Sequence, residues 1–308
     1  MKIGVLGAGA LGSVIGGTLA QAGEDVWLVT RSQAHVAAVR AAGLRLIGSE
    51  GESAVSRIHA ATDSNEVGPC DLVIVLVKSF DTEQALRKSA GLFGPETVVM
   101  SLQNGLGHED ALAEVVGRRN VIAGKTYVGG VMLEPGVVIA GVQGKETLNG
   151  ELDGSLSLRV QAIADVFNRA GLVTVAAPDI MSIIWDKLLV NVATGALAAI
   201  TRLPYGPLYD IAEIHTVAVH AVAEAIAVAE ARGISLSITE PEEAWRKAAE
   251  GLPPNFKTSM LQSLEKGSVT EIDFINGAVV AEGRRLGIAT PYNETLVACI
   301  KGIEASLH

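Results

Sequence analysis

Met1-Lys2-Ile3-Gly4-Val5-Leu6-Gly7-Ala8-Gly9-Ala10-Leu11-Gly12 opens the chain, and this stretch decides the fold. Residues 3–6 form a short apolar run of strand character, and a helical pattern over 10–22 follows at once. Between them stands Gly-x-Gly-x-x-Gly. Glycines there allow a tight turn and a close approach of the backbone to a pyrophosphate, which then sits at the positive end of the helix. The pattern is weak alone and strong between a strand and a helix. Gly7, Ala8, Gly9, Ala10, Leu11 and Gly12 are therefore expected to hold a dinucleotide. The uncharged run from Ile3 to Ala20 also resembles a secretory h-region. However, Gly4, Gly7, Gly9, Gly12, Gly16 and Gly17 weaken any helix there, and a strand-like run comes next.

Outward from this start, strand patterns at 26–29, 72–77, 98–102 and 121–123 alternate with helical patterns at 32–42, 82–89 and 109–116. That alternation marks a parallel sheet with helices on its faces. Residues 125–158, rich in Gly, Val and Ile, read as antiparallel hairpins. Beyond Pro178 the patterns at 180–200, 211–231, 242–250, 259–266, 269–286 and 291–305 are all helical. The expectation is an α/β chain: an N-terminal Rossmann-like dinucleotide-binding domain, 1–177, followed by an all-helical C-terminal domain, 178–308.

The 308 residues are 49% hydrophobic and 19% charged, which excludes a disordered or collagen-like chain. A net charge of −10 argues against nucleic-acid binding, which needs clustered Lys and Arg. Cys70 and Cys299 are too few for a disulfide framework, so a reducing, cytoplasmic setting is expected. No uncharged apolar run beyond residue 20 reaches the roughly 18 residues of a membrane span, because Asp186 and Lys187 interrupt the longest. The six histidines form no metal-binding spacing, and no metal is expected. The helix at 211–231, small and apolar on several faces, reads as core or subunit contact and leaves a homodimer open.

An NAD site carries an acid at the end of its second strand, on the ribose 2′-hydroxyl. Thr30-Arg31-Ser32 stands there instead. A guanidinium suits a 2′-phosphate, so NADP(H) is the expected cofactor, with Arg31 as its contact. Lys78 and Asn104 follow two further strands at the carboxyl edge of the sheet, where ligands of open α/β sheets bind.

The pattern at 180–200 is apolar nearly all round, which implies burial, yet Lys187 sits in its middle. Asn191 lies about 40° round and about 6 Å along, so both face one cleft. An ammonium beside a nicotinamide donates a proton to a carbonyl oxygen as hydride reaches the carbon.

The opening motif, Lys78 in VLVKS, Asn104 in LQNGLG, the WDKLLVN run and TSMLQ followed by TEIDFINGAV together resemble the ketopantoate reductase family (2-dehydropantoate 2-reductases) over essentially the whole chain. The resemblance implies NADPH-dependent reduction of a 2-keto acid, ketopantoate first, in a cleft between the domains. It implies Lys187 as general acid, Asn104, Asn191 and Ser259 as substrate contacts, and Glu271 as a catalytic residue positioning substrate or cofactor ribose. Unaided, Ser259 reads as an N-cap and Glu271 as an acid on a first helical turn. Gly195, Tyr205 and Phe256 stand where the resemblance would place three amides. That departure predicts weak rejection of keto acids lacking ketopantoate's hydroxyl. The rival readings are a dehydrogenase of another 2-keto acid, a 3-hydroxy acid or a sugar acid, and a non-catalytic NADP(H) sensor.

Overall fold

The computed structural model describes residues 1–307. Its strands are β1 (Lys2–Leu6), β2 (Asp25–Val29), β3 (Leu44–Gly48), β4 (Gly51–Val55), β5 (His59–Ala61), β6 (Leu72–Val75), β7 (Val98–Ser101), β8 (Val121–Thr126), β9 (Gly129–Glu134), β10 (Val137–Gly141), β11 (Thr147–Gly150) and β12 (Thr174–Ala176). Its helices are α1 (Ala10–Gln21), α2 (Gln33–Ala42), α3 (Thr82–Lys88), α4 (His108–Val116), α5 (Leu158–Arg169), α6 (Ile180–Thr201), α7 (Tyr205–Tyr209), α8 (Ala212–Ala231), α9 (Pro241–Ala249), α10 (Ser259–Glu265), α11 (Asn276–Leu286) and α12 (Pro291–Ala305). Two compact units divide the chain: residues 1–103 with 108–180, and residues 104–107 with the chain from 181 onward.

In the first unit an eight-stranded sheet runs β12-β11-β8-β7-β6-β1-β2-β5. Pairing is parallel from β5 through β8, and β11 lies antiparallel to β8. The antiparallel pairing expected from residues 125–158 is thus present, in β11 against β8 and in β10 against β9. Both faces of the sheet are covered, so its strands read as continuous apolar runs. Ile3, Val5, Leu72 and Ile74 enter one core, and Leu6, Val29, Val73 and Val75 enter the other.

A second sheet, β4-β3-β10-β9, has no counterpart in the sequence reading for its β3–β4 half. Its burial alternates, with Leu44 and Leu46 buried while Arg45 pairs with Glu52 across the exposed face. This short half-polar run lacks the apolar continuity of the large sheet. Helix α1 lies between the sheets, and its glycines make that possible. A Cβ on Gly16 would stand 2.7 Å from Leu28 of β2, and one on Gly17 would stand 2.6 Å from Leu44 of β3.

The second unit is helical. Helices α8, α11 and α12 share a buried polar knot in which Asn276 donates to Asn293 (3.0 Å), and Asn293 donates to Ala221 O (2.9 Å) and Glu224 (2.7 Å). These bonds tie α11 to α12 and α12 to α8 through buried side-chain amides. Helices α6 and α8 are long and apolar enough to cross a membrane, yet α6 is largely buried inside the protein.

One local expectation is corrected, and one short element was missed. The helix expected over 269–286 starts only at Asn276. Glu304 holds both the amide and the hydroxyl of Thr270 (2.7 and 2.8 Å), and Thr270 Oγ1 accepts from Ile272 N. Residues 272–274 accordingly make a separate 3-10 turn. The short helix α7 has no signal in the sequence. Its five residues are too few to show a period, and Pro204 precedes it.

Candidate active site

At the carboxyl end of β1, Gly7 adopts φ +99°, a conformation that favours glycine, and a Cβ there would lie 2.4 Å from Val77 N. Gly7 N and Ala8 N both donate to Val29 O (2.9 and 3.2 Å), which ties the turn to β2. A Cβ on Gly12 would lie 2.5 Å from Gly7 O, so the third glycine seats α1 against the turn. Gly9 differs, since nothing lies within 4 Å of its Cβ position. It is the N-cap of α1, no side chain caps the helix, and no acid occupies the first turn. The first amides of a helix have no intrahelical acceptor. Here they border open space behind a residue without a side chain, which fits a pyrophosphate. Because Gly9 carries only hydrogen on that side, nothing of its own keeps a phosphate away from the backbone.

The end of β2 is more occupied than its sequence suggests. Thr30 Oγ1 accepts from Ser32 N (3.3 Å), and Ser32 caps α2 by accepting from His35 N (3.2 Å). Arg31 reaches Asp81 at 2.8 Å, although its side chain is 86% exposed. Lys78 is exposed at the start of the 3-10 turn 79–81 that carries Asp81.

Three supporting residues escaped the sequence reading. Buried Gln103 donates to Val77 O and Thr82 Oγ1 (both 2.8 Å), so it holds both flanks of the segment bearing Lys78. Buried His35 accepts from Gly136 N at Nδ1 (3.0 Å), which leaves Nε2–H facing Ser13 Oγ of α1 (3.1 Å). It thereby links α1, α2 and the β9–β10 turn, and burial lowers its pKa. Lys125 is 3% exposed on β8, near the strand's carboxyl end. Gln103 and His35 have no local signal, because each acts through contacts distant in sequence.

In the second unit Lys187 and Asn191 lie one turn apart on α6, both half-buried, so the lysine is less enclosed than its apolar setting suggests. The adjacent Asp186 accepts from Ser237 N (3.0 Å), Ser237 Oγ (2.6 Å) and Ile238 N (3.1 Å), anchoring the loop after α8. Asn104 sits in the loop 104–107 that joins this unit. Leu106 N donates to Phe274 O at 2.9 Å, and Gly105, at φ +100°, passes so close that a Cβ would lie 2.4 Å from that carbonyl. Asn104 and the 3-10 turn after Glu271 are thus brought together.

Glu271 precedes that 3-10 turn and is not on a first α-helical turn, a correction that follows from the Thr270–Glu304 anchor. Ser259 is likewise not the N-cap of α10. Thr258 caps it by accepting from Leu261 N (3.2 Å), and Ser259 is the exposed first helical residue. Tyr205 is buried, with its ring 5.1 Å from Phe256 and its hydroxyl 3.0 Å from Thr194. Among the described residues no cluster of three metal-binding side chains exists. A cavity of about 380 Å³ lies by the amino end of β8, lined by Arg118, Arg119, Glu151 and Arg159. It is at the opposite strand ends from the glycine cradle, and Arg159 is already engaged by Glu151.

The model of ketopantoate reductase PanE/ApbA matches residues 3–154, and that of its C-terminal part matches residues 179–304. The chain belongs to the ketopantoate reductase family. The 2-dehydropantoate 2-reductase of Halobacterium salinarum is 37% identical over 98% of both chains. That of Pyrococcus horikoshii is also 37% identical, over 99% of this chain and 98% of the relative. Among solved structures, a PanE/ApbA family ketopantoate reductase from Ralstonia eutropha superposes with a TM-score of 0.91 at 35% identity, covering 100% of this chain and 99% of that one. A D-mandelate dehydrogenase in a ternary structure with NADH and anilino(oxo)acetate gives the same TM-score at 28% identity, with the same coverage. Family membership makes the chain an oxidoreductase with a dinucleotide-binding fold.

Proposed function

We propose that this chain reduces a 2-keto acid to the 2-hydroxy acid with NADPH, 2-dehydropantoate being the first candidate. Residues 1–177 serve the cofactor and residues 178–308 the substrate and its chemistry. The observation that carries the reading is the open, uncapped Gly9 position in a chain that also sets Lys187 and Asn191 one turn apart on α6. Relatives named 2-dehydropantoate 2-reductase support the substrate, and the oxo acid in the D-mandelate dehydrogenase structure supports the wider 2-keto acid class.

The Gly7–Gly12 turn would hold the pyrophosphate on its amides, Arg31 the 2′-phosphate, and Lys78 and Asn104 the remainder of the dinucleotide. When bound, a reduced nicotinamide supplies hydride to the substrate's C2. Lys187 delivers the proton at Nζ to the carbonyl oxygen, and its positive charge stabilises the oxyanion as it forms. Asn191, Ser259 and Asn104 orient the substrate through hydrogen bonds, and Glu271 positions substrate or ribose. The test is loss of NADPH absorbance on adding 2-dehydropantoate. Cofactor binding without turnover of any 2-keto acid would favour the non-catalytic sensor.

The NADH in the D-mandelate dehydrogenase structure, together with Asp81 on Arg31, supports a second reading in which NADH is the working cofactor. Comparing kcat/KM for the two cofactors decides between them.

A further inference from the structure

Gly195 lies in the middle of α6, where glycine weakens a helix relative to alanine. The glycines of α1 have a steric reason, since a Cβ on Gly12, Gly16 or Gly17 would stand 2.5–2.7 Å from a neighbour. Gly195 has none. Its backbone is helical, and the one atom within 4 Å of its Cβ position is Met260 Cε, at an ordinary 3.6 Å. Packing therefore does not demand the missing side chain. Gly195 follows Lys187 and Asn191 at successive four-residue steps, so it continues their stripe at about 80° and about 12 Å from Lys187.

The atom nearest this gap is apolar. The terminal methyl of Met260 belongs to a flexible thioether that adapts to what it touches. Thr194, the residue before Gly195, has its hydroxyl 3.0 Å from that of Tyr205, so these two hydroxyls satisfy each other. The Tyr205 ring faces Phe256 at 5.1 Å, and Tyr205 N donates to Phe256 O (3.0 Å), which fixes the two rings together. A hydroxyl on a ligand side chain would lose water there and meet rings and a thioether. A flat apolar group would gain ring and sulfur contacts.

We infer that the stripe from Lys187 to Gly195 takes a 2-keto acid with an aryl side chain, the keto group at Lys187 and the ring against Gly195, Met260 and Tyr205. The inference rests on the 2-keto acid reading above and narrows its substrate class. The reaction balances as before: C2 gains a hydride, the carbonyl oxygen gains a proton, and NADPH leaves as NADP+.

The test compares kcat/KM for phenylglyoxylate, 2-dehydropantoate and pyruvate with saturating NADPH, in the wild-type protein and in Gly195→Ala. Phenylglyoxylate should at least equal 2-dehydropantoate. In Gly195→Ala the phenylglyoxylate-to-pyruvate ratio should fall about tenfold, because a methyl enters the ring's place. The same variant should melt roughly 1–3 °C higher, because alanine favours the helix. Anilino(oxo)acetate should raise the melting temperature of the NADP+ complex in the wild type and less in the variant, a readout independent of turnover. A hundredfold preference for 2-dehydropantoate, or an unchanged ratio in Gly195→Ala, overturns the inference and leaves the 2-keto acid reading standing. No turnover of any of the three, with NADPH bound, overturns both.

Discussion

Lys187 illustrates how much one residue is asked to do. Its helix is otherwise built for burial, with Ile184, Trp185, Leu188, Leu189 and Val192 all buried around it. A half-buried ammonium there has its charge strengthened by the low-dielectric neighbours on its flanks. Lys187→Ala should lower kcat on the order of 10²–10⁴-fold while NADPH affinity stays near the wild-type value, as read by turnover and by NADPH fluorescence titration. Turnover close to wild type would remove the proton-donor role. Arg31 presents the opposite case of a side chain mostly in water, where solvent limits what a single contact contributes. Arg31→Ala should weaken NADPH about tenfold, ~1.4 kcal/mol, and leave NADH nearly unchanged. Asp81 competes with the 2′-phosphate for the guanidinium, so Asp81→Asn should tighten NADPH about threefold, again without effect on NADH. Equal changes for both cofactors in either variant would detach Arg31 from cofactor choice.

Within the β1–turn–α1 element, Gly9 and Gly12 separate folding from binding. Gly12→Ala drives a methyl against Gly7 O, so both the melting temperature and dinucleotide affinity should drop. Gly9→Ala meets no protein atom within 4 Å, so its melting temperature should stay within about 1 °C while NADPH binding weakens at least tenfold. Normal NADPH binding in Gly9→Ala would dislodge the cradle. Elements of this kind were legible in the sequence because their information is local: a strand, three spaced glycines, an apolar helix. Lys187 and Asn191 were legible for the same reason, being polar residues on an apolar period. The β3–β4 hairpin was not, since its apolar side makes sense only once α1 lies between two sheets. The false helical start at Val269 has a similar origin, because Thr270 is held by Glu304, 34 residues away in sequence. Gln103 and His35 stayed hidden because a buried amide or imidazole announces nothing until its partners are known.

Across the molecule, the titrating groups shape how stability depends on pH. His35 is held neutral by burial, with its pKa below the ordinary 6.5. The unfolded chain therefore binds a proton that the folded chain refuses, so stability is full above pH 6.5 and falls as pH drops below it. Glu151 acts further down. Its hydrogen bond from Arg159 lowers its pKa from 4.5, so its contribution is present above about 4.5 and is lost as the carboxylate protonates. On the alkaline side Cys70 reverses the sign. Burial raises its thiol from 9.0 to about 11, so the folded state keeps a proton that the unfolded chain releases from pH 9 upward. Stability should therefore be greatest between about pH 6.5 and 9, and melting temperatures recorded across pH test this by the shape of each limb. Replacing His35 by Gln leaves no group to charge near neutrality, so the decline between pH 6.5 and 5 should flatten even though the variant is less stable throughout. Cys70→Ala should likewise flatten the limb between pH 9 and 11, because the cavity it leaves lowers the curve without tilting it. If the acid limb of the His35 variant keeps its wild-type slope, the imidazole linking Ser13 of α1 to Gly136 titrates freely in the folded state and is not the group that sets the lower boundary.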